Sequence, residues 1–457
     1  MNAVLALAPR LRSAGGRDDR LTTGLAVAAF TVTTALTLSV IGGLLGFIGR
    51  DRNPVGAYQE ELSSSYVLFA WVAVVLLIVP LLTLGGSAAR LGVSRRDARL
   101  ATLRLLGVTP REVVVLTVLE TAWQGLIGAL IGIVGYLALL PVWSRVPFMG
   151  EPLSMAELWV GPWVLIATVL AVPVLAAISG MISLRRVVVS PLGVARRQTP
   201  PGLRAIRAVV TVLAMGAFMI VTGISGLPVV ALLTLLLGTL GLGFAAMNLI
   251  GPWTLGLVGR LQARMARTPA QLLAARRLVD DPRAAWRVVG GLGLAGFVAG
   301  CLAVVPALAS TGDEPLVKGD PTSVATFSGD LMRGAILTLV IAFLVAAAAA
   351  GIGQAATVLD RRREYALQVL AGTPVELLDR VRRREVLIPM LLVGVGAAAA
   401  ALVMLSPIFG TMGLTDPSGI LLLVGCLVGG CTLVMAVTET SRPLLRSVLA
   451  RAEVRPD

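Results

Sequence analysis

The sequence predicts an all-α integral membrane protein with about ten transmembrane helices, and two observations carry this prediction. Of the 457 residues, 56% are hydrophobic and only 14% are charged, and the mean hydropathy is +0.89. Apolar runs close to the roughly 20 residues that an α-helix needs to cross a bilayer follow one another along the chain. The predicted spans are residues 21–48, 66–88, 113–140, 160–184, 206–225, 227–250, 288–309, 331–353, 386–405 and 419–437.

The loops between these runs alternate in charge, which predicts the orientation of the chain. Loops 89–112, 185–204, 251–287 and 354–385 each contain five to seven arginines, whereas the intervening loops are acidic or neutral. Basic loops face the cytoplasm in membrane proteins. We therefore expect a multi-pass protein of the bacterial cytoplasmic membrane with both termini inside. Because the net charge of +14 is spread over several loops, it does not predict a nucleic-acid-binding face.

Two segments of the chain are copies of each other. Residues 95–120 read RRDARLATLRLLGVTPREVVVLTVLE, and residues 361–385 read RRREYALQVLAGTPVELLDRVRRRE. Gly107 and Gly372, and likewise Glu120 and Glu385, are 265 residues apart, so the two segments align without a gap. A repeat at fixed spacing indicates that one structural unit is used twice. We predict a first four-helix repeat (1–200), a two-helix spacer (201–259) and a second four-helix repeat (260–457).

The second copy carries a motif that identifies a resemblance. Its pattern E-x-A-L-x-x-L-x-G, before a membrane helix carrying Glu385, resembles the FtsX-like permease domain of ABC transporters, in particular the MacB and BceB group. The motif residues are Glu364, Ala366, Leu367, Leu370 and Gly372. The first copy departs from it, because Arg99 stands at the position that matches Glu364. Residues 271–287 resemble the amphipathic elbow helix that opens such repeats.

The resemblance implies that residues 95–106 and 361–371 form cytoplasmic coupling helices that dock on ATPase subunits. A docking helix needs apolar side chains to fill a groove and charges to fix its register. The candidate coupling residues are Arg99, Leu100, Leu103, Leu105, Gly107, Glu364, Tyr365, Leu367, Leu370 and Gly372. The alternative is a basic helix held at the membrane by anionic headgroups.

Glu120 and Glu385 are predicted to lie near the cytoplasmic start of membrane helices. An acidic residue in a membrane segment is a candidate proton or substrate contact. Neighbouring arginines, such as Arg382, Arg383 and Arg384, favour a structural ion pair instead.

Glycines spaced four residues apart recur in the apolar runs. Such pairs let two helices approach closely, so we expect them at packing interfaces. The pairs are Gly42 with Gly46, Gly128 with Gly132, Gly296 with Gly300, and Gly425 with Gly429.

The function predicted from the resemblance is that of a permease subunit. No G-x-x-x-x-G-K-[ST] phosphate-binding loop occurs in the sequence. We therefore expect no enzymatic activity and no cofactor in this chain; ATP and Mg²⁺ would bind to a cytoplasmic ABC ATPase, present in two copies. The expected role is export or extraction of an amphipathic antibiotic, peptide or lipid. The alternative is a regulator that transmits ATPase motion to an extracytoplasmic partner, although residues 50–65 and 310–330 are too short to form the large outer domains of such relatives.

Overall fold

In its described residues, the predicted first repeat contains four long helices and a short hairpin. The computed structural model describes residues 17–90, 110–188, 206–222, 228–305, 315–318, 320–409 and 417–439. The helices of this repeat are α1 (Arg17–Arg52), α2 (Ala57–Arg90), α3 (Pro110–Trp143) and α4 (Gly161–Val188). Between α3 and α4, strands β1 (Pro147–Phe148) and β2 (Glu151–Pro152) pair antiparallel.

The remaining described helices lie in the predicted spacer (201–259) and in the predicted second repeat (260–457). The spacer helices are α5 (Ile206–Thr222) and α6 (Val229–Met265). The helices after the spacer are α7 (Pro269–Asp280), α8 (Pro282–Leu302), α9 (Ser323–Asp360), α10 (Arg362–Leu370), α11 (Val375–Phe409) and α12 (Pro417–Glu439).

The all-α membrane fold is confirmed. In the described part of the chain, eight helices are long and apolar enough to cross a membrane, and two shorter apolar helices cover Val209–Thr222 and Val288–Leu302. Together they account for the ten predicted spans. Helices α5 and α6 are two separate helices that pack against each other. The hydroxyl of Thr211 on α5 donates to the carbonyl of Ala246 on α6 at 3.1 Å.

Several helices extend beyond the predicted apolar runs. Helices α2 and α9 begin at Ala57 and Ser323, although their apolar runs begin at residues 66 and 331. Hydropathy detects only the part of a helix that is apolar, whereas backbone hydrogen bonding continues through the polar turns at its ends. Most of residues 50–65 is therefore helical, and the connection between α1 and α2 is only a few residues long.

Helix α8 lies at the centre of the bundle. It packs against α6, α9, α11 and α12, and also contacts α2 of the first repeat. Its side chains from Val288 to Ala299 are almost all buried. Small residues permit this close packing: a Cβ on Gly296 would come within 2.6 Å of the carbonyl oxygen of Gly394 on α11.

The glycine pairs differ in what they contact. Gly128 and Gly132 on α3 face α1, and a Cβ on Gly132 would approach the carbonyl oxygen of Thr31 to 2.9 Å. In the second repeat, the first helix (α8) meets the third helix (α11) at Gly296 and Gly300 of α8. The glycine pair thus lies on the first helix there, whereas in the first repeat it lies on the third helix. Gly42 and Gly46 lie closest to the backbone of residues 157–158. A Cβ on Gly425 or Gly429 would meet no atom of the described residues within 4 Å.

The bundle has two distinct ends. Helices α7 and α10 lie at one end, which we call the basic end. The β1–β2 hairpin, the C-terminus of α1 and the N-terminus of α9 meet at the other, which we call the hairpin end. The described parts of loops 251–287 and 354–385, both predicted to be cytoplasmic, thus meet at the basic end. Parts of the predicted outer loops 50–65 and 310–330 meet at the hairpin end.

The side of the membrane on which each end lies is a prediction. In a variant lacking the three native cysteines, we expect Lys318→Cys to react with a membrane-impermeant maleimide on intact cells. Leu367→Cys should react only after permeabilisation, because the loop charges place the basic end inside. Both positions are exposed in the structure. Labelling of position 367 but not of position 318 on intact cells would show that the orientation is the opposite of the predicted one.

Candidate functional site

The predicted second coupling segment forms a short helix, α10, between two long ones. Helix α9 ends at Asp360. Arg361 has φ −94° and ψ 13°, outside helical geometry, and α10 begins at the next residue. At the other end, Gly372 adopts φ +84°. Its N–H donates to the carbonyl of Val369 at 2.9 Å, and Thr373 N–H donates to the carbonyl of Gln368 at 3.0 Å. Glycine is favoured here because it adopts positive φ without steric cost.

Helix α10 has one exposed and one buried face. Leu367 and Leu370 are 58% and 67% exposed, and Glu364 on the same face is also exposed. Tyr365 lies on the opposite face and is buried against Val358 and Leu378. Tyr365 was predicted to be a docking side chain, and this placement removes it from the surface that a partner would contact. The motif residues Glu364, Leu367 and Leu370 remain accessible together.

Helix α7 packs against α11 and contacts the buried face of α10 through Arg277. It begins with a capping box, in which the Thr268 hydroxyl accepts from Gln271 N–H and the Gln271 side chain accepts from Thr268 N–H. It ends at Asp280, because Pro282 disfavours helical geometry at Asp281, the residue before it. Arg277 is therefore held on a helix that is separate from the membrane span α8. Its side chain is only 7% exposed.

Arg277 connects α7 to α10. Its guanidinium donates to the hydroxyl of Tyr365 at 3.4 Å and to Oε1 of Gln368 at 3.1 Å. The same group lies over the Tyr365 ring, 5.1 Å from its centroid, which adds a cation–π contact. Burial raises the pKa of the Tyr365 hydroxyl, although the Arg277 charge acts in the opposite direction. The tyrosine therefore acts as a neutral structural partner of the arginine.

Glu385 completes this network on α11. Its carboxylate lies 3.5 Å from Arg277 and 3.3 Å from Arg361, and it is 16% exposed. Both partners are thus distant from Glu385 in sequence. Arg382 and Arg383 pair instead with Asp379 and Glu439. We call Arg277, Arg361, Tyr365, Gln368 and Glu385 the coupling network; it joins α7, the α9–α10 turn, α10 and α11.

The charged members of the coupling network have sequence counterparts in the first repeat. Subtracting the repeat spacing of 265 from Arg277, Arg361 and Glu385 leads to Arg12, Arg96 and Glu120. All three residue types are retained, whereas the positions of Tyr365 and Gln368 hold Leu100 and Leu103. The sequence therefore preserves the charges of the network in both repeats.

Most of the first predicted coupling site lies outside the described residues. This applies to Arg99, Leu100, Leu103, Leu105 and Gly107. Glu120 is described: it lies on α3 and is partly buried. The coupling role of the first segment stays a prediction.

A second polar cluster, at the hairpin end, was not predicted. Arg50 at the end of α1 is 7% exposed and pairs with Glu157 at 2.7 Å. It also donates to the carbonyls of Phe148 and Pro152, at 2.7 and 3.1 Å. Burial alone raises the pKa of Glu157, but hydrogen bonds from Arg50 and Ser154 outweigh it and hold that pKa below its usual range. Arg50 therefore fixes the β1–β2 hairpin over the end of α1.

Asp330 on α9 links the two repeats at this end. Its carboxylate accepts from the hydroxyl of Tyr66 on α2 at 2.7 Å and from the N–H of Met149 at 2.6 Å. Arg333, on the same helix, provides its charge partner. Met149 is a non-glycine residue with φ 58°, which the tight hairpin requires. An acidic residue near the start of an apolar run was the only sequence signal for this contact.

One comparison with known proteins identifies part of the chain. Residues 67–191 match the family model described as FtsX-like permease C-terminal. The match begins in α2, includes the first predicted coupling segment and continues through α4. A search of curated proteins finds no match to the chain. The narrower resemblance to the MacB and BceB group stays a prediction.

Proposed function

We propose that this chain, whose residues 67–191 match the FtsX-like permease C-terminal family model, is the permease subunit of a bacterial ABC transporter. It would use a separate ATPase to export or extract an amphipathic substrate. The observation that carries this proposal is the exposed face of α10, formed by Glu364, Leu367 and Leu370. Two exposed leucines beside a charge have the composition of a docking surface for a protein groove.

The coupling network explains how motion of α10 reaches the membrane. Motion of α10 would displace Tyr365 and Gln368, which accept hydrogen bonds from Arg277 on α7. Glu385 carries the same connection into α11, whose apolar part spans the membrane. Coupling between sites requires a continuous physical path of packed or hydrogen-bonded groups. The network provides such a path from the exposed leucines of α10 to α7, α9 and α11.

The ATPase is a separate subunit in this proposal, and two copies bind. Each repeat has one coupling segment, so one chain offers two docking positions. ATP and Mg²⁺ would bind to the ATPase, and this chain would contribute no catalytic residue. Purification of the tagged chain from its native membrane tests the proposal. An ABC ATPase should co-purify at about two copies per chain, and lipids or amphipathic peptides should stimulate its activity.

Two outcomes would count against this function. If no ATPase co-purifies under mild crosslinking, the role as a permease subunit fails. If an extracytoplasmic enzyme co-purifies and no amphiphile changes ATP hydrolysis, the protein is a regulator and not a transporter.

The two coupling segments should contribute unequally. Glu364 is exposed beside the leucines, whereas the matching residue in the first copy is Arg99. A charge in a protein cleft contributes about 1–3 kcal/mol when its partner is fixed and desolvated, and less at the rim. We expect Glu364→Arg to reduce ATPase co-purification by about tenfold, which corresponds to about 1.4 kcal/mol. Arg99→Glu should have a mild effect. Equal losses, or a larger loss from Arg99→Glu, would contradict the assignment.

A further inference from the structure

A cavity of about 190 Å³ lies between the two repeats near the hairpin end. One wall comes from α1 and α2 of the first repeat, including Gly43 and Leu77, and the opposite wall comes from α9, including Ala335. Leu158, in the segment after the hairpin, lies over it. Tyr66 and Asp330, whose hydrogen bond joins the two repeats, both line it, so the cavity lies at the interface between the repeats.

The cavity is rich in aromatic side chains. Aromatic residues make up only 5% of the sequence, yet six line this one space. They are Phe47, Tyr66, Phe69, Trp143, Phe148 and Phe327. Some pack edge to face, with Phe47 and Phe148 ring centroids 5.2 Å apart and those of Tyr66 and Phe327 5.6 Å apart. Such rings present both faces and edges to an apolar occupant.

The polar groups around the cavity are already used within the protein. The Ser39 hydroxyl donates to the carbonyl of Ala35 and accepts from Trp143 Nε1. The Thr338 hydroxyl donates to the carbonyl of Gly334 at 2.8 Å. The Tyr66 hydroxyl donates to Asp330, whose charge is balanced by Arg333. A buried water needs two to four polar partners, so this space favours an apolar group over water or a charged head group.

We propose that this cavity binds the apolar part of the transported amphiphile, as a single aromatic ring or short alkyl segment. The polar part of the amphiphile stays outside it. The size supports this class of ligand, because an engineered apolar cavity of about 150 Å³ binds benzene. A space of about 190 Å³ holds one such group and excludes a whole two-chain lipid. That the amphiphile is transported rests on the function proposed above; the binding of an apolar group in the cavity does not.

Photolabelling with a small aryl diazirine in proteoliposomes tests the binding. Leu77 and Leu158 are 1% and 4% exposed, so a probe reaches them only from inside the cavity. Leu170 on α4 is 64% exposed and serves as a reference for labelling from the surrounding lipid. We expect insertion at Leu77 and Leu158 to be saturable by an excess of the same aryl compound without the diazirine. Insertion at Leu170 should not be saturable.

A matched pair of glycine variants on α1 makes the test specific. Gly43 lines the cavity, and a Cβ on it would meet no atom of the described residues within 4 Å, so Gly43→Leu should fill the site without a clash. Gly24→Leu makes the same change on the same helix, also with no neighbour within 4 Å, and away from the cavity. Because filled interiors leave no room for a second group, insertion at Leu77 should fall by about fivefold or more in Gly43→Leu. It should be unchanged in Gly24→Leu.

The outcomes separate this inference from the proposed function. Absent or non-saturable labelling of Leu77 and Leu158 overturns the binding site, as does labelling that survives in Gly43→Leu. Saturable labelling of the isolated chain supports the site even if no ATPase co-purifies. An ATPase that co-purifies and responds to amphiphiles equally in wild type and Gly43→Leu supports the transporter but removes this cavity from its substrate path.

Discussion

Replacing Leu367 and Leu370 together with serine should abolish co-purification of the ATPase while leaving the fold of the permease intact. Both side chains are more than half exposed, so the folded chain gains little from burying them. Burial of a leucine against a partner contributes about 1.5–3 kcal/mol. Loss of two such contacts corresponds to at least about a hundredfold weaker association, at 1.4 kcal/mol per factor of ten. The measurement is the amount of ATPase retained per permease after affinity purification, with the thermal unfolding temperature as the check on folding.

A conservative double variant provides the control for this experiment. Leu367→Met with Leu370→Met keeps the apolar surface and should retain the ATPase. The result also separates docking from lipid attraction, which depends on arginines and not on leucines. If the serine variant binds the ATPase as well as wild type does, α10 is not the docking element, and headgroup contact becomes the better explanation of its basic sequence.

Glu385→Gln should destabilise the second repeat and disconnect α10 from α11. The substitution keeps the size of the side chain but leaves Arg277 and Arg361 without their shared carboxylate. Removing one partner of a buried ion pair costs about 3–5 kcal/mol, because the remaining charge stays desolvated. We expect a value near the lower limit of about 3 kcal/mol, since the carboxylate keeps some contact with solvent. Thermal unfolding in detergent measures the loss, and ATPase stimulation by amphiphiles measures the coupling.

Glu376→Gln is the matched control on the same helix. Glu376 is exposed in the first turn of α11, so its neutralisation should change stability by less than about 0.5 kcal/mol. Equal losses in the two variants would show that Glu385 acts only through the net charge of this end. Unchanged stability of Glu385→Gln together with an altered pH dependence of transport would instead favour the role of Glu385 as a proton contact.

Helix positions were predictable because hydropathy along the chain is a local property. The apolar runs fall on helices of the structure. Gly372 marks the end of α10 as expected, because the need for positive φ at a helix terminus depends on a few neighbouring residues. The helix ends were less accurate, since polar turns continue α2 and α9 beyond their apolar parts.

The sequence by itself therefore determined the membrane class, the order of the spans, the repeat spacing and the position of the α10 motif. Only the tertiary structure decided that Tyr365 faces inward and that Glu385 pairs with Arg277 and Arg361. The same holds for Asp330, which meets Tyr66 and Met149 across the interface between the repeats. These partners are separated by tens to hundreds of residues along the chain. A sequence pattern fixes which residues share one helix face, but which neighbour covers that face depends on how the helices pack together.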